Sequence, residues 1–115
     1  MQEGPIVKKS FAFSVLILKY CRLLTSKREF VIANQLLKSG TSIGANVYEA
    51  QFAESKDDFI HKMKIASKEA GETLYWLLLC EKIEDFEVNQ QSINDLREII
   101  AILSKIIITS KKNQK

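Results

Sequence analysis

Ser39-Gly40-Thr41-Ser42-Ile43-Gly44-Ala45-Asn46-Val47 is the stretch on which the fold turns. Each glycine lowers helix propensity by about 1 kcal/mol relative to alanine, and the hydroxyl residues add to the deficit, so a loop is the rival reading. The apolar period decides for a helix. Phe30, Ala33, Leu37, Gly40, Gly44 and Val47 step by three and four without losing phase across the glycines. The glycines then fall on the seam, where they allow close helix approach or leave room for a large side chain opposite. Upstream, Ser26 and Glu29 form a Ser-x-x-Glu capping box, which predicts a helix from there to about Ala53.

Outward from this helix the pattern repeats. Before it, Phe13, Leu16, Ile17, Tyr20 and Leu24 mark one face of a helix from about Ser10 to Leu24. Phe11, Val15 and Leu18 broaden that face, and a helix so apolar is expected to be mostly surrounded by partners. After it, Ser55 caps a third helix, with Asp57 and Asp58 in the first turn suiting the helix dipole. Phe59, Met63, Ala66, Ala70, Thr73, Leu77 and Cys80 carry its face to between Glu81 and Ile83. A polar connection, Glu84 to Asn89, surrounds Phe86. A fourth helix begins between Glu87 and Ser92, with Ile93, Leu96, Ile100, Leu103 and Ile107 in heptad spacing and Ile99, Ile102 and Ile106 as a second stripe. Short connections make consecutive helices antiparallel neighbours, so the expected fold is all-α, an up-down-up-down four-helix bundle. Residues 1–115 form one domain, with 1–9 and 111–115 as flexible tails.

Composition agrees. Hydrophobic residues make up 46% of 115, enough for a core, and one proline with four glycines suits only a helical or very regular architecture. Cys21 and Cys80 lie in apolar helical patterns without CxxC spacing, which reads as two buried free thiols in a reducing cytoplasm. Met1 to Lys9 has no signal-peptide pattern. Ile99 to Ile108 is too short for a bilayer, which needs about 20 residues. A membrane partner is therefore not expected.

The chemistry-bearing patterns are sparse. A di-metal bundle site needs two Glu-x-x-His pairs and two further carboxylates; the chain has one histidine, His61, read as a surface residue. Neither a Ser-His-Asp nor a Cys-His arrangement fits that single histidine, and no glycine-rich loop joins a strand to a helix. No metal, cofactor or small-molecule substrate is expected, and no catalysis. The one constellation that stands out joins Asn46 and Glu49 of the second helix to Lys68, Glu69, Glu72, Tyr75 and Trp76 of the third. Lys68 and Glu72, four apart, are placed to pair. Glu69, Glu72 and Trp76 border the apolar face, as a polar network fixing helix register would.

At these residues the chain resembles a known family. The block Ser39 to Val47, with its Gly40, Ser42, Gly44 and Asn46, is followed by Glu49-Ala50, Asp58-Phe59-Ile60, Lys62-Met63 and Ile65-Ala66. Lys68-Glu69-Ala70, Glu72-Thr73 and Tyr75-Trp76-Leu77 come next, with Ser10-Phe11 and Gln35-Leu36-Leu37 upstream. Together they look like the bacterial four-helix bundle proteins named for intervening sequences in 23S rRNA genes, over roughly Ser10 to Ile107. The resemblance implies an antiparallel four-helix bundle and a ring-shaped homopentamer. It also implies kinship to the accessory proteins of diversity-generating retroelements, whose partners are nucleic acid and a reverse transcriptase. Gly71, Leu74 and Leu78 depart from the family pattern, which is charged or polar there. They share one face, which thereby loses charge and becomes a candidate protein contact.

Two functional expectations follow. The first is a non-catalytic homo-oligomeric module that binds RNA or DNA, or adapts a nucleic-acid enzyme. Its net charge of +3 becomes +15 in five copies, and such binding falls steeply with salt. Lys8, Lys9, Lys19, Arg22, Lys27, Arg28 and Lys38 are candidate contacts near the first two helices; Lys105, Lys111, Lys112 and Lys115 are candidates at the C-terminal end. The second is a protein-interaction scaffold without a nucleic-acid role, suggested by the second isoleucine stripe and the Leu74-Leu78 face. An acid-base pair of Glu69 and Glu72 is the only catalytic alternative the residues offer.

Overall fold

Four stretches of helical apolar period fold as four helices, each burying one face against its neighbours. The computed structural model describes residues 4–114. Its elements are α1 (Pro5–Ser26), α2 (Phe30–Ala50), α3 (Lys56–Glu81), a 3-10 turn (Glu84–Phe86) and α4 (Gln90–Lys112), with no strand among the described residues. Named side-chain neighbours set the register. Ile17 lies against Gly40, and Ser10 and Ser14 against Gly44. Ser39 meets Thr73, Glu49 meets Lys62, Lys9 meets Glu98, and Tyr20 reaches Phe86. In the α1/α2 and α2/α3 pairs the numbers run in opposite senses, so these neighbours are antiparallel. The result is a rod of 50 × 21 × 20 Å.

α2 runs unbroken through its glycines. The propensity deficit of Gly40 and Gly44 is about 2 kcal/mol. Against it, Ile17, Ile43 and Val47 are buried beside them, and burying each such side chain contributes roughly 1.5–3 kcal/mol. Packing therefore outweighs propensity. Thr41 and Ser42 donate back to the carbonyls of Leu37 and Lys38, both at 2.6 Å, so their hydroxyls are satisfied inside the helix. The buried face is Ala33, Leu36, Ser39, Gly40, Ile43, Val47 and Ala50. Of the expected register, Ala33, Gly40 and Val47 are buried, Gly44 is half-buried against α1, and Phe30 and Leu37 are exposed.

The corner between α1 and α2 also differs from expectation. Ser26 is the last residue of α1 and donates to the Leu23 carbonyl, while Glu29, the N-cap of α2, makes no side-chain capping bond. The capping box does not form because the chain reverses through a Schellman motif. Arg28 sits at φ 65, its N–H bonds the Thr25 carbonyl, and the Glu29 N–H bonds the Leu24 carbonyl, both at 2.9 Å. α1 itself begins five residues before the expected Ser10. Pro5 supplies the fixed φ favoured at a first helical position, and Ile6 and Val7 are buried. Ser10, expected near the start of this helix, is buried inside it. The segment 5–9, expected as tail, is thus helical, and so are Lys111 and Lys112 at the far end.

The other caps follow the sequence. Ser55 accepts the Asp58 N–H at 3.0 Å, and the Asp58 carboxylate accepts the Glu54 N–H at 3.1 Å. Asn89 opens α4, accepting the Gln91 N–H at 2.8 Å. The core is continuous through all four helices, with Phe13, Leu24, Leu36, Met63, Leu77, Leu96 and Leu103 among its fully buried members. Leu74 and Leu78 are half-buried and pack against that core, so they do not form an exposed stripe.

Candidate interaction surface

The two seam glycines do different work. A Cβ on Gly40 would stand 2.7 Å from the Ile17 side chain, so Gly40 leaves the room that Ile17 fills. A Cβ on Gly44 would stand 3.1 Å from the Ser10 carbonyl oxygen and 2.9 Å from the Ser14 hydroxyl, so Gly44 lets the backbones of α1 and α2 approach. Close approach over small residues leaves a furrow above them. Its floor is Ser14, Gly44 and Ala45, and its walls are Phe11 and Leu18 of α1 and Tyr48 of α2, enclosing about 720 Å³. A second groove of about 410 Å³ continues it past Leu18 towards Arg22 and Leu37.

These walls are apolar and open to solvent. Phe11 is 69% exposed, Leu18 46%, Tyr48 50% and Phe52 63%. Tyr48 and Phe52 lie with ring centroids 5.6 Å apart. Val15, Leu16 and Leu23 are exposed on α1 as well. The expectation that α1 is surrounded by partners therefore fails within one chain, because α1 packs mainly against α2 and α4 and its outer face stays uncovered. Apolar surface of this extent usually marks an interaction site. A helix with more apolar residues than one seam can bury was the signal for it, since its neighbours in a four-helix bundle cannot cover every face.

The candidate nucleic-acid contacts are not gathered into one site. Lys8 lines the α1/α2 groove, whereas Lys9 turns to α4 and pairs with Glu98 at 2.6 Å. That carboxylate raises the Lys9 pKa above its ordinary value, through the hydrogen bond first and its charge second. Lys27 donates to the Asp85 carbonyl at 3.0 Å and stands 4.0 Å from Glu87, which ties the 3-10 turn to α1. Arg22 lines the second groove, and Lys19 a third with Glu87 and Val88. Arg28, Lys38, Lys105 and Lys112 are exposed. Lys111 stands beside Lys64, whose side chain and like charge lower its pKa. Lys115 lies outside the described residues.

The polar constellation is spread along α2 and α3. Glu49 accepts from Lys62 at 3.0 Å, and Asn46 donates to the Ser42 carbonyl at 2.8 Å. Thr73 and Ser39, both buried, share a 2.9 Å hydrogen bond across the core. Glu72 accepts from the Trp76 indole N–H at 3.1 Å. No Lys68–Glu72 ion pair exists among the described residues; the indole, one turn beyond, takes that carboxylate instead. Glu69 is half-buried and Lys68 exposed. His61 is exposed, and no group of three or more metal-ligating side chains occurs among the described residues. Burial pushes the Cys21 thiol up to about 11 and raises Cys80 too, and the Cys21 thiol donates to the Ala33 carbonyl at 3.4 Å. Both thiols are thus protonated core groups.

A family model described as 23S rRNA-intervening sequence protein matches residues 2–109. Among solved structures, the chain is similar to a protein with unknown function from the S23 ribosomal protein family of Bacteroides thetaiotaomicron VPI-5482. The two are 44% identical with a TM-score of 0.79, over 89% of this chain and 97% of that one. Comparison with curated proteins gives no match.

Proposed function

Because the chain belongs to the 23S rRNA-intervening sequence protein family, we propose that it is a non-catalytic module of several identical copies. The copies join through the outer face of α1 and α2, and the assembly holds RNA or DNA by its phosphates. The observation that carries this reading is the open groove with Phe11, Leu18 and Tyr48 as its walls. An apolar furrow of that size favours a protein surface over water. Assembly then supplies what one copy lacks. A single chain has a net charge of +3 and cations spread along a 50 Å rod. Five copies, the number suggested by resemblance, carry +15 and repeat every lysine around the assembly. Binding of this kind is electrostatic and needs no catalytic group. An adaptor for a nucleic-acid enzyme, a reverse transcriptase among them, works by the same surfaces. No described helix is long and apolar enough to cross a membrane, and a cytoplasmic setting suits the free thiols.

The competing reading is a protein-interaction scaffold without a nucleic-acid role. It gains from Lys9 and Lys27, whose ammonium groups are engaged by the chain's own oxygens. Two measurements decide. Light scattering at micromolar concentration is expected to give a multiple of 13.1 kDa; a monomer overturns the assembly. Labelled RNA or single-stranded DNA is expected to bind with a constant whose logarithm falls linearly with the logarithm of salt concentration. No binding at low salt below high micromolar protein leaves the scaffold.

A further inference from the structure

Lys64, Lys68, Gly71 and Tyr75 of α3 follow one another at intervals of three or four residues, so they share one face of the helix, and all four are exposed. At the start of this row α4 comes alongside. The Gln114 side-chain amide donates to the Asp57 carboxylate, which joins the end of α4 to the first turn of α3. Lys111 is thereby brought against Lys64, close enough for one ammonium to oppose the charge of the other. Lysines elsewhere in the chain meet carboxylates, as Lys9, Lys27 and Lys62 do. Lys64, Lys68 and Lys111 make no ion pair among the described residues. Two carboxylates of this face are engaged otherwise, Asp57 by Gln114 and Glu72 by the Trp76 indole. Repulsion between two ammonium groups turns to attraction when an anion sits between them. Beyond the cations the backbone is bare, since a Cβ on Gly71 would meet nothing within 4 Å. Tyr75 then stands 59% exposed, held edge-on by half-buried Trp76 with ring centroids 5.0 Å apart.

We propose that this row is a track for single-stranded nucleic acid, in which Lys64 and Lys111 hold one phosphate between them, Lys68 holds another, and Tyr75 stacks a base. This rests on the reading of the protein as a nucleic-acid module and names the residues that touch the strand. The ammonium groups supply the donors that phosphate oxygens need. Four residues of helix rise about 6 Å, so Lys64 and Lys68 engage separate phosphates, and Tyr75 lies about 10 Å further along the same strand. An acidic peptide would satisfy the cations, but its carboxylates would leave the Tyr75 ring idle. A duplex would leave it idle too, because its bases are already stacked on one another. Cations leading to an exposed aromatic ring are the combination that single strands use. The α1/α2 groove lies on other helices, so strand and subunit contact do not compete for the same residues.

The test follows labelled oligothymidylate by fluorescence anisotropy over a range of salt concentrations, with the full chain. Lys64→Gln combined with Lys111→Gln is expected to lower the slope of log K against log salt by about 0.7, the value for one phosphate contact to a single strand. Lys38→Gln combined with Arg97→Gln removes the same charge from exposed positions on other helices and is expected to lower it by less. Tyr75→Ala is expected to weaken binding about 5-fold or more with the slope unchanged, because stacking releases no counterion. Tyr75→Leu replaces it should alanine disturb the helix in circular dichroism. Trp76, the one tryptophan, stands against Tyr75 and reports on it directly. Its fluorescence is expected to change with unlabelled oligothymidylate and not with sodium tripolyphosphate, which carries phosphates without bases. Equal slopes in the two lysine variants, or wild-type affinity in the Tyr75 variant, overturn the track and leave nucleic-acid binding standing. A Tyr75 variant that falls apart in light scattering makes this face a contact between copies and overturns the track as well. A wild type that binds no oligothymidylate at low salt defeats the nucleic-acid reading itself, and the track falls with it.

Discussion

α1 and α4 are helices of similar length, each more apolar than a single seam requires, yet they dispose of the excess differently. In α4, the second stripe of Ile102 and Ile106 is half-buried against the core, and Ile108 alone is a largely exposed isoleucine. In α1, Phe11, Val15, Leu16, Leu18 and Leu23 face solvent. The second isoleucine stripe, an argument for a scaffold when only the sequence is read, is thus taken up by the bundle itself. The excess on α1 is not. Apolar content alone does not mark an interface. The surplus over what the chain's own neighbours can cover does.

The comparison breaks if the two helices respond alike to truncation. Leu103→Ala in α4 removes a fully buried side chain, and about 2–5 kcal/mol of stability is expected to go with it, measured by urea unfolding. Leu18→Ala is expected to change the stability of the monomer by no more than about 0.5 kcal/mol, while weakening assembly in light scattering. Equal losses of monomer stability would mean that Leu18 is core. Next in size is Gly44→Ala. Its Cβ would stand 3.1 Å from the Ser10 carbonyl oxygen, and backbone yields less easily than a side chain. Overpacking of this kind costs about 1–3 kcal/mol, and the groove above should deform with it. Unchanged stability would show that α1 and α2 have slack at their closest approach.

Much of this was readable in the sequence, and the failures have physical causes. The unbroken α2 follows from the phase of its apolar residues, which a loop would have lost at Gly40. Its register was misread because apolar residues occupy both Leu36 and Leu37; periodicity fits either, and only the position of α1 selects Leu36 for the core. At Ser26 two local motifs compete, and the reversal into α2 favours the Schellman corner over the capping box. α1 starts earlier than the face from Phe13 to Leu24 suggests, because Pro5 opens the helix and Ile6 and Val7 are buried ahead of that face. The groove was half legible. Phe11 and Leu18 stood out as apolar, but their exposure depends on how many helices surround α1, which periodicity does not count. Lys8 and Lys9 show the same limit for charge: adjacent in sequence, one lines the α1/α2 groove and the other pairs with α4.

The smaller effects sharpen the comparison through positions where the chain tolerates a local cost. Gly71→Ala adds a Cβ into open space, so the monomer should gain about 1 kcal/mol in urea unfolding. If another copy approaches there, assembly should weaken in the same protein, and a gain in both would place the contact elsewhere. Arg28 closes α1 at φ 65 without being glycine. The left-handed conformation costs a side chain about 1–2 kcal/mol, and glycine returns about 0.5–1 kcal/mol of that as unfolded-chain entropy. Arg28→Gly should therefore stabilise the protein by about 0.5–1 kcal/mol, read as a rise in the urea midpoint at unchanged slope. The corner joins α1 to α2, so tightening it should leave the core of α4 and its response to Leu103→Ala unaltered. Arg28 is also a candidate phosphate contact. If it serves as one, the same variant should lower the salt dependence of RNA binding by about one counterion per copy while the fold grows more stable. A stabilised protein with an unchanged salt slope would keep Arg28 in the corner and remove it from the nucleic-acid surface.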